Sequence, residues 1–216
     1  VVLSGPTSKR LVRDGVEQVV FETCFPVKVA HGHIQALLDK NPDIIFLPSL
    51  IDAKTSDFGK NDRVAFNCPM VQTIPYTTRS AMPLDDVEPT VFSPVLRMQR
   101  GIRNLEKELS AHTRELKSNR SQIRKALEAA DNAQEDFYLA IERRGEEMIR
   151  ALSPNQPGLV LVSRPYNGCD SGLNLDLPKK LRALGVVPIP MDMLPLRDME
   201  LPKRWRHVYW RYGQRI

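Results

Sequence analysis

Apolar positions change their spacing several times along the 216 residues, and each change predicts an element. Val16, Val19, Val20 and Phe21 predict a buried strand. Pro26 then stands where a first helical turn tolerates proline. Val27, Ala30, Ile34, Leu37 and Leu38 recur at helical spacing, and Asn41-Pro42 ends that helix. Residues 43–51 form a short, nearly continuous apolar run, as expected of a strand covered on both faces. A third strand is predicted to begin over Val64 to Phe66, followed by Asn67, Cys68, Pro69 and an apolar stretch to Tyr76. Strand, crossover and strand in succession predict a parallel α/β sheet.

Between Arg97 and Arg150 the pattern changes to dense, nearly balanced charge over helical stripes. Ile102, Leu105, Leu109 and Leu116 make one stripe, and Ile123, Leu127, Ala130, Phe137, Ile141 and Ile149 make a second. Residues 118–121 are the expected break, so two long amphipathic helices are predicted. Their charge reads most simply as a solvated surface; the sharper alternative is a partner-docking bundle. The sheet pattern returns with Leu159 to Val162, then a helix over Leu177 to Leu184 stopped by Gly185, then a strand over Val186 to Met191. The predicted organisation is a first α/β subdomain at 1–94, a helical hairpin insertion at 95–153 and a second α/β segment at 154–216. The opening on Val1 and the close over Tyr209 to Ile216, which reads as helix interior, predict a piece of a longer protein, cut short in its second segment.

Composition narrows the classes. With 42% hydrophobic and 26% charged residues, the chain has ordinary globular composition. No apolar run approaches the ~20 residues that span a bilayer, and no secretory leader is visible. Three cysteines exclude a disulfide scaffold, and without a leader they point to a reducing, cytoplasmic setting. The net charge is +5, with a basic stretch over 197–216 suited to phosphate on a nucleotide-like cofactor. Nucleic acid is the weaker partner, because no recognition signature accompanies the charge. P-loop, GxSxG, HExxH and GxGxxG motifs are absent from the sequence.

Cys24 and Cys68 occupy equivalent places, each after a predicted strand and each one or two residues before a proline that opens a helix. Ligands of open parallel sheets bind outside the carboxyl ends of the strands, so the two thiols are candidates to face one cavity as metal or redox groups. The plain alternative is two small buried hydrophobes. Their spacing is too wide for a zinc finger or a thioredoxin pair, whereas cluster ligands converge from remote parts of a chain. Cys169, in a Gly-Cys-Asp-Ser-Gly loop, reads as an incidental thiol before a third ligand. His31 and His33 lie two apart on the helix after Cys24 and so point about 200° apart, unable to share a metal.

In order along the chain stand Glu22-Thr23-Cys24-Phe25-Pro26-Val27-Lys28-Val29-Ala30-His31-Gly32-His33, Ile45-Phe46-Leu47-Pro48-Ser49 and Asn67-Cys68-Pro69-Met70-Val71-Gln72. Arg164-Pro165-Tyr166-Asn167, Leu177-Pro178-Lys179-Lys180-Leu181 and Ile189-Pro190-Met191-Asp192 follow. This series resembles the 2-hydroxyacyl-CoA dehydratase (2-hydroxyglutaryl-CoA dehydratase) family, and most closely its DUF2229-type, acyl-CoA dehydratase activase-related region. The resemblance implies Rossmann-like, flavodoxin-like subdomains with a [4Fe–4S] cluster near their interface. It implies an ATP-hydrolysing activase as electron donor, an acyl-CoA thioester as substrate, a lyase or ATP-driven reductase chemistry, and a homo- or heterodimer. It places Cys24 and Cys68 among the cluster ligands and the third family cysteine beyond Ile216. Glu22, His31 and His33 are acid/base candidates by position only. The rival expectation is a non-catalytic scaffold that docks partners through its helical insertion.

Overall fold

The computed structural model describes residues 1–54, 65–112, 114, 116–196, 203–205 and 207–214. Its first element is not a strand. Helix α1 (Lys9–Gln18) begins at Ser8, whose side chain accepts from the Leu11 amide at 3.3 Å. It packs along α2 (Phe25–Leu38), and this is the most extensively packed pair of elements among the described residues. Two glycines set that crossing. A Cβ on Gly32 would run into the Leu11 carbonyl, and one on Gly15 would lie 2.8 Å from the Gly32 amide nitrogen. The strand expected over Val16 to Phe21 is therefore the last turn of α1 plus an extended link, with Val20 70% exposed. The close glycine contact decides the local structure over the β-propensity of the valines.

The apolar run at 43–51 forms two strands, β1 (Ile44–Phe46) and β2 (Ser49–Asp52), because Pro48 has no N–H to give to a ladder. Each pairs in parallel with a strand that the sequence pattern did not announce: β1 with β3 (Thr90–Phe92), and β2 with β4 (Val95–Arg97). The ladder bridges the interruption, since the Leu47 amide donates to Phe92 and the Ser49 amide to Pro94, at 2.8 and 2.9 Å. A third parallel pair joins β5 (Gly158–Leu161) to β6 (Val187–Pro190), close to the strands expected at 159–162 and 186–191. The fold is mixed α/β built on short parallel strand pairs.

Short helices α3 (Pro69–Gln72) and α4 (Ile74–Ala81) follow Cys68. The insertion is a hairpin of α5 (Gly101–Ser110) and α6 (Arg120–Arg150), broken where residues 118–121 predict it. Asn119 and Gln122 close a reciprocal capping box there. The carboxylate of Glu106, only 3% exposed, holds the hairpin together by pairing with Arg120 and, at 2.6 Å, with Arg124. Hydrogen bonds from these two arginines hold its carboxyl below the usual carboxylate range. Two further helices are α7 (Pro165–Cys169) and α8 (Leu177–Ala183), the latter ended by Gly185 at φ 78°.

Two other expectations change. Phe66 forms isolated bridges, antiparallel to Asp52 and parallel to Trp210; Val64 lies outside the described residues. The close of the chain is not helix over its described part: Trp210 pairs with Phe66, and residues 211–214 form a turn. Gln214 Nε2 donates to the Val208 carbonyl at 2.8 Å and holds that turn closed. Arg215 and Ile216 lie outside the described residues.

Gly32→Ala is expected to force α1 and α2 apart and to cost about 1–3 kcal/mol, as overpacked contacts do. Thermal unfolding should register this as a drop of several degrees in Tm; an unchanged Tm would show that the crossing is not tight.

Candidate functional site

One helix-opening device is used three times around a single cavity. Cys24, Cys68 and Arg164 are the N-cap residues of α2, α3 and α7, each followed by a proline at N1 or N2. All three have extended backbones: φ/ψ of −67/148°, −54/135° and −69/145°. A proline directly after Cys68 and Arg164 disfavours the helical region for these residues. Each carbonyl accepts two first-turn bonds. Cys24 takes Val27 and Lys28 at 3.0 and 3.2 Å, Cys68 takes Val71 and Gln72 at 2.8 and 3.0 Å, and Arg164 takes Asn167 and Gly168, both at 2.9 Å.

All three side chains line a cavity of about 300 Å³. Pro26, Val29, Val71, Ile74 and Leu173 are among its apolar lining. Arg164, Tyr166, His33, Asp170 and Thr7 bring polar groups to it. Asn67 fixes the Cys68 turn from behind: its amide group donates to the Leu50 and Asp52 carbonyls at 3.0 and 3.2 Å, and its backbone N–H to Ile51 at 3.0 Å. Gln72 Nε2 returns to the Asn67 carbonyl at 2.7 Å.

Tyr166 and Arg164 form the polar centre. Arg164 Nη1 donates to the Tyr166 hydroxyl at 2.8 Å. That bond is the main cause raising Arg164 above its ordinary value, with the Cys68 thiol adding to it. Burial pushes Tyr166 up; the Arg164 bond opposes this, and the charges of Cys68 and Cys24 add to the rise. Tyr166 thus stays protonated, and with its oxygen already accepting from Arg164 its proton is available to a ligand.

A second chain of hydrogen bonds runs through His33. Nδ1 lies 2.7 Å from Ser4 Oγ and Nε2 lies 3.0 Å from Thr7 Oγ1, while the Thr7 hydroxyl donates to Asp170 Oδ2 at 2.6 Å. Thr7 has one proton and gives it to the carboxylate, so neutral His33 must donate from Nε2 and accept at Nδ1. This chain ties the N-terminal segment, α2 and the loop after α7 to one wall.

The candidate residues separate clearly. Cys24 and Cys68 come together, and His33 joins them. Glu22 does not: its side chain is 98% exposed and pairs with Lys28 at 3.3 Å. His31 is wholly buried, its Nδ1 2.8 Å from the Val27 carbonyl, and does not line the cavity. Cys169 ends α7 outside it, where desolvation and the Asp192 carboxylate push its thiol up. Among the described residues no group of three or more His, Cys, Asp and Glu side chains is placed to hold a metal ion. Thr7, Tyr166 and Asp170 were not singled out from the sequence; the signal for Tyr166 is the strand-then-Arg164-Pro165 pattern, which repeats that of Cys68-Pro69.

Comparison by sequence assigns this mixed α/β chain to a family. The model of the family described as "CoA enzyme activase uncharacterised domain (DUF2229)" matches residues 1–194, and the chain belongs to that family. No curated protein and no solved structure matches it.

Desolvation lowers His33 from 6.5, and the Asp170 charge opposes this. The unfolded chain therefore takes up this proton first. The stability that the neutral imidazole contributes is complete above pH 6.5 and is lost as pH falls from there through the folded pKa. Urea titrations on either side of that window should show a smaller acid loss for His33→Gln than for the parent chain; identical slopes would remove His33 as its source.

Proposed function

We propose that the chain is an iron–sulfur redox module of a CoA-enzyme activation system, with Cys24 and Cys68 as two cluster ligands. The observation that supports this most is the convergence of both thiols on one cavity, neither of them in a disulfide. Thiolate sulfur is the donor chemistry that iron–sulfur groups take. The donor number covers two positions, so further ligands would come from outside the described residues. A [4Fe–4S] cluster held there would supply one-electron chemistry at low potential, recharged by an ATP-hydrolysing activase partner.

The chain's own residues have distinct tasks in this reading. The apolar wall of Val29, Val71 and Ile74 takes the acyl portion of an acyl-CoA thioester and excludes water. Tyr166, held by Arg164, donates a hydrogen bond to the thioester oxygen. His33, through Thr7 and Asp170, holds a proton at Nε2 beside the same cavity. The finer likeness to 2-hydroxyacyl-CoA dehydratases, with a lyase reaction, a flavodoxin-like extension of the three parallel pairs, subdomains at 1–94 and 154–216 and a cytoplasmic setting, belongs to this proposal. No helix among the described residues is long and apolar enough to cross a membrane.

The alternative, a non-catalytic scaffold, draws on α6, where Phe137, Leu139 and Ile149 are exposed on a helix of 31 residues. One set of variants tells the two apart. After anaerobic reconstitution with iron and sulfide, Cys24→Ser and Cys68→Ser should each lose most bound iron while keeping the parent circular dichroism, and Cys169→Ser should keep its iron. Full iron content in both Cys24→Ser and Cys68→Ser would overturn the cluster reading.

A further inference from the structure

A second cavity, of about 560 Å³, is lined by residues of β1, β3, β4 and the α5–α6 hairpin, and shares no lining residue with the cavity of Cys24 and Cys68. Phe92, Leu96, Leu105 and Ile123 in its lining are buried, whereas Phe46 remains 54% exposed. The Phe46 and Phe92 rings pack against each other with centroids 5.4 Å apart. Every lining side chain is apolar except Lys117, Ser118 and Gln122. These three are neighbours where α5 gives way to α6: Lys117 adopts a left-handed backbone at φ 46°, and Gln122 Oε1 accepts from the Asn119 amide, next to Ser118, at 2.9 Å. The polar groups of the cavity are thus gathered in one place.

Those groups lack partners of their own. Ser118 Oγ is buried and has no hydrogen-bond partner among the described residues, a state that costs about 1–3 kcal/mol unless a ligand supplies one. The Lys117 ammonium is in no ion pair among the described residues. Positive charge is in excess there: positions 114–125 of the sequence hold Arg114, Lys117, Arg120, Arg124 and Lys125 against Glu115 alone. Glu106 already pairs with Arg120 and Arg124. One ammonium beside neutral donors matches a single negative charge, and a volume within the ~300–1,000 Å³ of small-molecule sites, lined by leucines and phenylalanines, matches an apolar body. We propose that this cavity binds a single-chain aliphatic carboxylate, its tail among the apolar side chains and its head on Lys117 and Ser118. The proposal rests on no part of the cluster reading.

The test is calorimetric titration of the whole chain with decanoate below its micelle concentration, with decanol and decyltrimethylammonium as neutral and cationic controls of the same tail. One decanoate should bind per chain, more tightly than either control. Ala126, exposed on α6, lines the cavity, so Ala126→Leu puts side-chain bulk into it without displacing a buried neighbour and should weaken decanoate tenfold or more. Lys117→Gln should weaken decanoate about fivefold, as loss of an exposed charge pair does, and leave decanol unchanged. Should that variant lose its fold, Lys117→Asn, suited to the left-handed backbone, replaces it. No decanoate binding at millimolar concentration, equal affinity for all three probes, or unchanged decanoate affinity in folded Ala126→Leu and Lys117→Gln would overturn the proposal. So would light scattering that finds a dimer which Phe46→Ser dissociates, since a second copy would then fill the cavity. Cys24→Ser should leave decanoate affinity unchanged whatever its iron content, so failure of the cluster reading and failure of this one give different results.

Discussion

The hydrogen bonds around Phe66–Cys68 are the constraint on which the rest depends. On one side this segment is tied to β2, through the Ala53 and Asn67 amides and the Asn67 side chain. On the other it carries residues 209–211, and beyond it Cys68 caps the short helix α3. Asn67 is buried, and each bond it makes is worth about 0.5–1.5 kcal/mol net, with a larger loss if a buried carbonyl were left without a donor. The first half of the chain, its last described turn and the thiol of Cys68 are positioned by one extended strip. Cys68, at the end of that strip, lines the cavity together with Cys24.

Around this wall the chain repeats a single local solution. A residue in extended conformation, a proline and a helix put a side chain at the mouth of the cavity three times, with a thiol, a thiol and a guanidinium. The proline supplies a helical φ and needs no hydrogen-bond partner for an N–H it does not have. The cost in backbone order is therefore met locally, and the side chains at the three caps are left to the cavity. Arg164 supplies positive charge beside Cys68. Tyr166 stays neutral beside them, and His33 holds its proton on a fixed nitrogen. The cavity thus combines two thiols, one held cation and two proton-bearing groups.

Much of this was legible in the sequence where one local signal dominated. Pro26 and Pro69 announced the helices after Cys24 and Cys68, the alternating stripes announced α5 and α6, and Gly185 announced the end of α8. The separation of His31 from His33 followed from helical geometry alone. What was not legible depended on contacts between remote segments. The valines before Cys24 favoured a strand, yet the approach of Gly15 and Gly32 made helix α1 of that region. Strands β3 and β4 are three residues each, too short to show a period, and exist because β1 and β2 offer them partners. Thr7 and Asp170 reach the cavity from opposite ends of the chain, and no local spacing relates them.

The central claim is that folding brings Cys24 and Cys68, far apart in sequence, together as a pair of sulfur donors. A trivalent arsenical binds tightly only where it bridges two thiols, so its retention by the folded, iron-free chain, read by intact mass, tests the claim most directly. The account predicts one arsenic retained by the parent chain and by Cys169→Ser, and none by Cys24→Ser or Cys68→Ser. Retention in Cys24→Ser or Cys68→Ser, or no retention by the parent chain, would contradict it.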